Sequence, residues 1–229
     1  VILMLLVVLL WGGNVIATKV ALPDMPPFML AGVRFGIGAI VIGIWGMLNR
    51  SDLIPKRTEI LPLIVLSTLF TAQISTFNIG LNLTLAGRAS IFMSINPFFV
   101  ALLAHFVIPN DRLNIRKIIG LILAFCGIII VFRDKVGING SRILGDAILI
   151  SSSAIVGFMT IYIKKLAQNI NTYKLLFWEM LFSLIPFFGL SLIFEDISKV
   201  NVSGNLFFAL LYQSIIVAGI SFIIWTILL

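Results

Sequence analysis

Trp11 to Phe35 reads WGGNVIATKVALPDMPPFMLAGVRF, and Val156 to Met180 reads VGFMTIYIKKLAQNINTYKLLFWEM. Laid over one another without a gap, Gly12 meets Gly157, Lys19 meets Lys164, Pro26-Pro27-Phe28 meets Asn171-Thr172-Tyr173, and Arg34 meets Glu179. Each segment closes one apolar run, turns through a few Pro, Asn or Asp residues, and opens the next. Farther on, Ala72-Gln73-Ile74-Ser75 meets Ala218-Gly219-Ile220-Ser221 once a single residue is allowed for. Identity is low, so the order of hydrophobic blocks carries the match. The chain reads as two related units, 1–140 and 141–229, the second stopping after its third apolar run.

Composition sets the class. Sixty per cent of the 229 residues are hydrophobic and 11% are charged, where a soluble domain carries about 25% charged. A membrane-spanning helix takes about 20 mainly apolar residues. Eight such runs fall near 2–21, 28–48, 60–81, 86–108, 115–133, 142–163, 173–194 and 205–229. The expectation is an all-α integral membrane bundle, because a barrel would need short alternating strands. The net charge of +7 lies mostly between the runs, where it orients the chain rather than binding nucleic acid. With the N-terminus cytoplasmic, the inner turns hold Arg50, Lys56, Arg57, Arg112, Arg116, Lys117, Lys164, Lys165 and Lys174. The outer turns hold Arg88, Arg133, Lys135, Arg142 and Lys199, and nine against five favours this orientation. The cluster from Arg133 to Arg142 argues the other way. Five helices per unit, an odd number, would invert the second unit relative to the first, as in transporters whose sites lie near the bilayer midplane. Val1 is not an initiator Met and the last run stops at Leu229, so two further helices are expected beyond it.

WGGNVIATK, PPFMLAGVRF, SINPFFVALLAHFVIPNDRL and GLILAFCGIIIV follow one another in this order. Their succession resembles the EamA family of the drug/metabolite transporter superfamily, over essentially the whole chain. The resemblance implies ten helices in two five-helix inverted repeats, and transport of amino acids, their derivatives or similar metabolites, often outward. A bacterial inner (cytoplasmic) membrane is the matching location. Family members commonly end the fourth helix in a GER-like turn. Here Asn110-Asp111-Arg112 keeps the acid as Asp and lacks the Gly.

Polar residues within membrane spans are costly and therefore informative. In the third span Thr68, Thr71, Ser75, Asn78 and Asn82 recur three and four apart, which puts them on one helix face. They are read as one wall of a hydrated path, or as hydroxyls and amides that bond their own helix and its neighbours. The equivalent face of the eighth span, Ser214, Val217, Ser221, Ile224 and Leu228, is much less polar. Trp11, Asn14 and Thr18 share a face of the first span, with Trp11 too deep for an interface anchor. Trp11 is expected to wall a cavity and Asn14 to hydrogen-bond in it, against packing and helix bridging as the bland alternative. Gly32, Gly36, Ala39, Gly43 and Gly46 form a small-residue stripe for close helix contact, with Arg34 off that stripe. Pro97 frees a carbonyl within the fourth span and marks Asn96 as a candidate hinge or binding point.

Arg34 and Glu179 are the deepest ionisable residues, each about 9 Å into a core about 30 Å thick. The choice for Arg34 is between a site and snorkelling outward; for Glu179, between a site and pairing with Lys174. His105 reads as interfacial and Cys126 as a packing residue. The candidate substrate-binding set is Trp11, Asn14, Arg34, Thr71, Ser75, Asn78, Asn96 and Glu179, with a proton on Glu179 as the candidate coupling ion. No phosphate-cradling loop, metal-ligand cluster or catalytic triad is present in the sequence, so neither cofactor nor metal nor catalytic residue is expected. A secondary transporter of small polar metabolites, embedded in lipid, is the leading reading. An integral-membrane enzyme acting on lipid or isoprenoid phosphates is the alternative, but it would gather acids, His or Arg at one membrane face. Substrate identity and oligomeric state stay open.

Overall fold

Lipid offers backbone groups no partners, so each apolar run must bond its own main chain. The computed structural model of the protein, which describes residues 2–108, 113–132 and 140–228, is helical throughout, with no strand among those residues. The helices are α1 (Ile2–Ala21), α2 (Pro27–Leu48), α3 (Arg57–Leu83), α4 (Ala86–Met93), α5 (Asn96–Val107), α6 (Ile115–Phe132), α7 (Gly140–Leu166) and α8 (Thr172–Phe194). The last run is composite: α9 (Gly204–Leu211), a π-helical stretch (Tyr212–Ser221) and α10 (Phe222–Leu228). Among the described residues seven spans are long and apolar enough to cross a membrane, with α4 and α5 together forming one and the last run forming another. The fifth expected span, 115–133, is the 18-residue helix α6, which is not one of those seven. Asn110-Asp111-Arg112, Arg133, Lys135 and the Arg142 side chain lie outside the described residues.

Helix ends follow local chemistry. Pro27 opens α2, where a missing N–H costs nothing, and Glu195 accepts from the Phe28 and Met29 amides at 2.6 and 2.9 Å. Asn171 caps α8 through the Tyr173 amide at 2.9 Å, and Ser203 caps α9 through the Leu206 amide at 3.1 Å. The fourth span breaks at Ser94 and Ile95, so that Pro97 stands in the first turn of α5. The break falls where Pro97 is expected to disturb the helix, and an ordinary packed kink would look the same.

By spatial proximity the chain forms two compact units, Val1–Thr71 with Ile163–Leu229, and Ala72–Tyr162. In the first unit α2 and α8 run antiparallel: Gly32 faces Phe188, Gly36 faces Leu184, Gly43 faces Phe177 and Gly46 faces Tyr173. A Cβ on Gly32 would sit 2.8 Å from Phe188 Cε1, and one on Gly38 would sit 3.0 Å from Ala218 Cβ. The small stripe is thus what brings the two backbones together. In the second unit the end of α3 runs antiparallel to α7, with Gln73 bonded to Ser152 and Gly80 against Leu149. Arg88, expected in an outer turn, is instead 5% exposed and paired there with Asp146, which Thr84 also reaches at 3.2 Å. Many large apolar side chains, Phe106, Ile185, Leu192 and Phe208 among them, remain exposed, as a lipid-facing surface requires.

Candidate functional site

The ends of the first unit are tied by polar groups, and its middle is where unpartnered ones collect. At one end, beside the α2–α3 turn, Lys174 reaches Asp52 at 2.9 Å and Glu59 at 3.3 Å, and Trp178 Nε1 donates to the Leu53 carbonyl at 2.7 Å. The hydrogen bond from Lys174 holds the exposed Asp52 carboxyl below the ordinary carboxylate range. At the opposite end, beside the α1–α2 turn, the Asn201 amide donates to the Asp24 carbonyl at 2.9 Å, Ser203 donates to the Asp24 carboxylate, and Glu195 covers the first turn of α2.

Between these ties lies Arg34, 2% exposed and therefore not snorkelling. Its position off the glycine stripe turns it toward the π-helical stretch, where Nη1 donates to Gln213 Oε1 at 3.2 Å. The Thr18 hydroxyl on α1 shares its one proton between the Asn14 carbonyl at 2.8 Å and this same oxygen at 3.0 Å. The guanidinium carbon stands 4.5 Å over the Phe35 ring, a contact worth about 0.5–2 kcal/mol. Phe35 in turn packs on Phe70, Phe187 and Phe222, with ring centroids 4.6, 6.0 and 6.2 Å away. Trp11 packs on Trp225 and Phe222 at 5.0 and 6.2 Å, and its indole N–H has no partner. Asn14 Oδ1, Arg34 Nε, Gln213 Nε2, Ser214 Oγ and Glu179 Oε2 are likewise buried without one.

Glu179 is 1% exposed, and the pairing with Lys174 does not occur, because Lys174 already serves Asp52 and Glu59. Among the described residues no basic group lies within 4.0 Å of Glu179 and no acidic group within 4.0 Å of Arg34. The α2–α8 register puts Glu179 level with Val41, seven residues from Arg34, or about 10 Å along the helix axis.

Trp11, Asn14, Arg34, Thr71 and Glu179 all belong to this unit; Ser75, Asn78 and Asn96 belong to the other. Thr71, Ser75 and Asn78 are buried, while Thr68 and Asn82 at the ends of the supposed stripe are exposed. Thr68 and Thr71 donate to their own helix at 2.9 and 2.8 Å, the bland alternative for hydroxyls in a span. Ser75 Oγ and Asn96 Oδ1 are buried without hydrogen-bond partners. His105 accepts from the Leu113 amide at 3.2 Å, a structural role near the end of α5. Gln213 is the residue that the sequence reading missed. Its signal was an amide inside an apolar run, four residues before Val217, and it lies buried in the π-helical stretch, a winding common at functional sites. Among the described residues no group of His, Cys, Asp and Glu could hold a metal ion.

The fold and its sealed polar interior define a polytopic helical membrane protein. Residues 1–133, more than half of the chain, match the model of the EamA-like transporter family, and the chain belongs to that family. A Bacillus subtilis (strain 168) protein named "Uncharacterized transporter YoaV" is 23% identical, over 96% of this chain and 75% of its own. An Escherichia coli (strain K12) protein named "Probable amino-acid metabolite efflux pump" is 29% identical, over 100% of this chain and 77% of its own. A Salmonella typhimurium protein of the same name is 28% identical, over 99% of this chain and 77% of its own. One solved crystal structure covers 99% of this chain and 77% of its own with a TM-score of 0.82, at 19% identity, which shows the fold.

Proposed function

We propose that the protein is a secondary transporter, moving an amino acid or a derivative of one by alternating access around the buried polar set of the first unit. The carrying observation is that Arg34 and Glu179, both almost fully buried, have no ionic partner among the described residues. Desolvating each ion costs several kcal/mol, and apolar side chains of similar volume would serve a purely structural bundle better. The charges make sense as groups that meet a polar solute. Two relatives named as amino-acid metabolite efflux pumps support that substrate class and an outward direction.

The antiparallel run of α2 and α8, which carry the matched segments around Arg34 and Glu179, supports two inverted repeats, 1–140 and 141–229, of a ten-helix plan. Trp11 and Asn14 would wall and orient the solute. Glu179 would take its ammonium group or a coupling proton. Thr71, Ser75, Asn78 and Asn96 are the remaining candidates for the solute path. The inner tie on Lys174 and the outer ties on Asp24 and Glu195 would open in turn. An inner bacterial membrane with the N-terminus cytoplasmic agrees with the basic inner turns. Counterflow by the full-length protein in proteoliposomes, against a panel of amino acids, tests the reading. Exchange of at least one is expected. Turnover of a lipid with no solute moved would overturn it in favour of an enzyme.

A further inference from the structure

Arg34 and Gln213, 2% and 0% exposed, retain hydrogen-bond donors that nothing among the described residues takes up. Arg34 uses Nη1 on Gln213 Oε1 and leaves Nε without a partner. Gln213 Oε1 accepts from Arg34 Nη1. The Thr18 hydroxyl has one proton to share between that oxygen at 3.0 Å and the Asn14 carbonyl at 2.8 Å. The bond from Arg34 sets the amide's orientation, because turning it over would set its NH2 against a guanidinium, donor against donor. Gln213 Nε2 is then held out as a second spare donor. Among the described residues no acceptor takes up Arg34 Nε or Gln213 Nε2, and no acidic group lies within 4.0 Å of Arg34.

We infer that Arg34 and Gln213 are the seat of the transported solute's carboxylate, with Thr18 as the positioning residue that holds the Gln213 amide. This rests on the transporter reading and names the group by which the solute is gripped. One cation without an acidic partner balances a monoanion, whereas a phosphate ester, carrying nearly two charges, would stay unbalanced. The Phe35 ring lies 4.5 Å from the guanidinium carbon. The guanidinium's N–H donors lie in its own plane, the geometry in which a carboxylate accepts two parallel bonds. The aromatic cluster of Phe35, Phe70, Phe187 and Phe222 beside it suits a solute with an apolar side chain.

The test is thermal unfolding of the full-length protein in detergent with each of the twenty proteinogenic L-amino acids and, separately, with its carboxamide. At least one acid is expected to raise the Tm while its carboxamide does not. Gln213→Glu places the protein's own carboxylate against Arg34, so this variant is expected to fold with an unchanged or higher Tm and to bind that acid at least tenfold more weakly. Thr18→Val is expected to erode the preference for acid over carboxamide, and Thr18→Ser to restore it. The seat is overturned if carboxamides stabilise as well as acids, if no acid stabilises, or if Gln213→Glu binds within twofold of the wild type. Counterflow separates the two readings. A protein that exchanges a solute but ignores its carboxylate loses the seat and remains a transporter. One that binds acids as expected and exchanges nothing keeps the seat and loses the transport.

Discussion

Glu179 stands in α8 among residues that hydropathy favours, and nothing basic answers it within 4.0 Å among the described residues. If it carries the coupling proton, Glu179→Gln will transport with no response to a pH gradient, measured as uptake into vesicles with and without an imposed gradient. An unchanged response would move coupling to another group. Trp11 contributes ring surface against Trp225 and Phe222, and aromatic contacts of this kind are worth about 0.5–1.5 kcal/mol beyond area. Trp11→Ala is therefore expected to lower exchange up to about tenfold while leaving membrane insertion intact; normal exchange, or loss of the folded protein, would remove Trp11 from the site. Arg34 and Glu179 were legible as buried ions because any charge deep in a span is costly. Gln213 was not, because the helix face drawn through Ser214, Val217 and Ser221 reads as largely apolar and starts one residue after it, although Gln213 is four residues before Val217 and so shares its side.

At the scale of the helix, α2 and α8 set the distance at which these groups meet. A Cβ on Gly38 would lie 3.0 Å from Ala218 Cβ and 3.3 Å from Met180 Sδ, whereas one on Gly36 would find Leu184 at an ordinary 3.8 Å. Gly38→Val is thus expected to cost about 1–3 kcal/mol by overpacking, and Gly36→Ala to change stability little, both read from unfolding in detergent. Equal effects would mean that the close approach at Gly38 does not limit the packing of α2. The stripe, the Pro26-Pro27 turn and the break before Pro97 were visible in the chain, since each depends on a residue type with one strong steric consequence. Which way Arg88 turns was not visible. Its partner Asp146 lies 58 residues away, and only the antiparallel packing of α3 on α7 brings the two together.

Across the molecule, polar ties close both ends of the first unit around an interior that holds charge, ties that the proposed alternating access would open in turn. Asp24 and Ser203 bond directly at the end beside the α1–α2 turn. In a Cys126→Ser background, Asp24→Cys with Ser203→Cys is expected to stop exchange on oxidation and to recover it on reduction; undiminished exchange by the cross-linked protein would mean that this end need not open. The class of the protein was plain from composition, while the two compact units were not, because the first joins two segments distant in sequence and the second is the stretch between them. Counterflow by the full-length protein, reconstituted without ATP and preloaded with one amino acid after another, bears most directly on the whole account. It predicts accumulation of labelled amino acid for at least one member of the panel, lost in Gln213→Glu. Vesicles that accumulate none of them, beside folded protein in the same membrane, would contradict it.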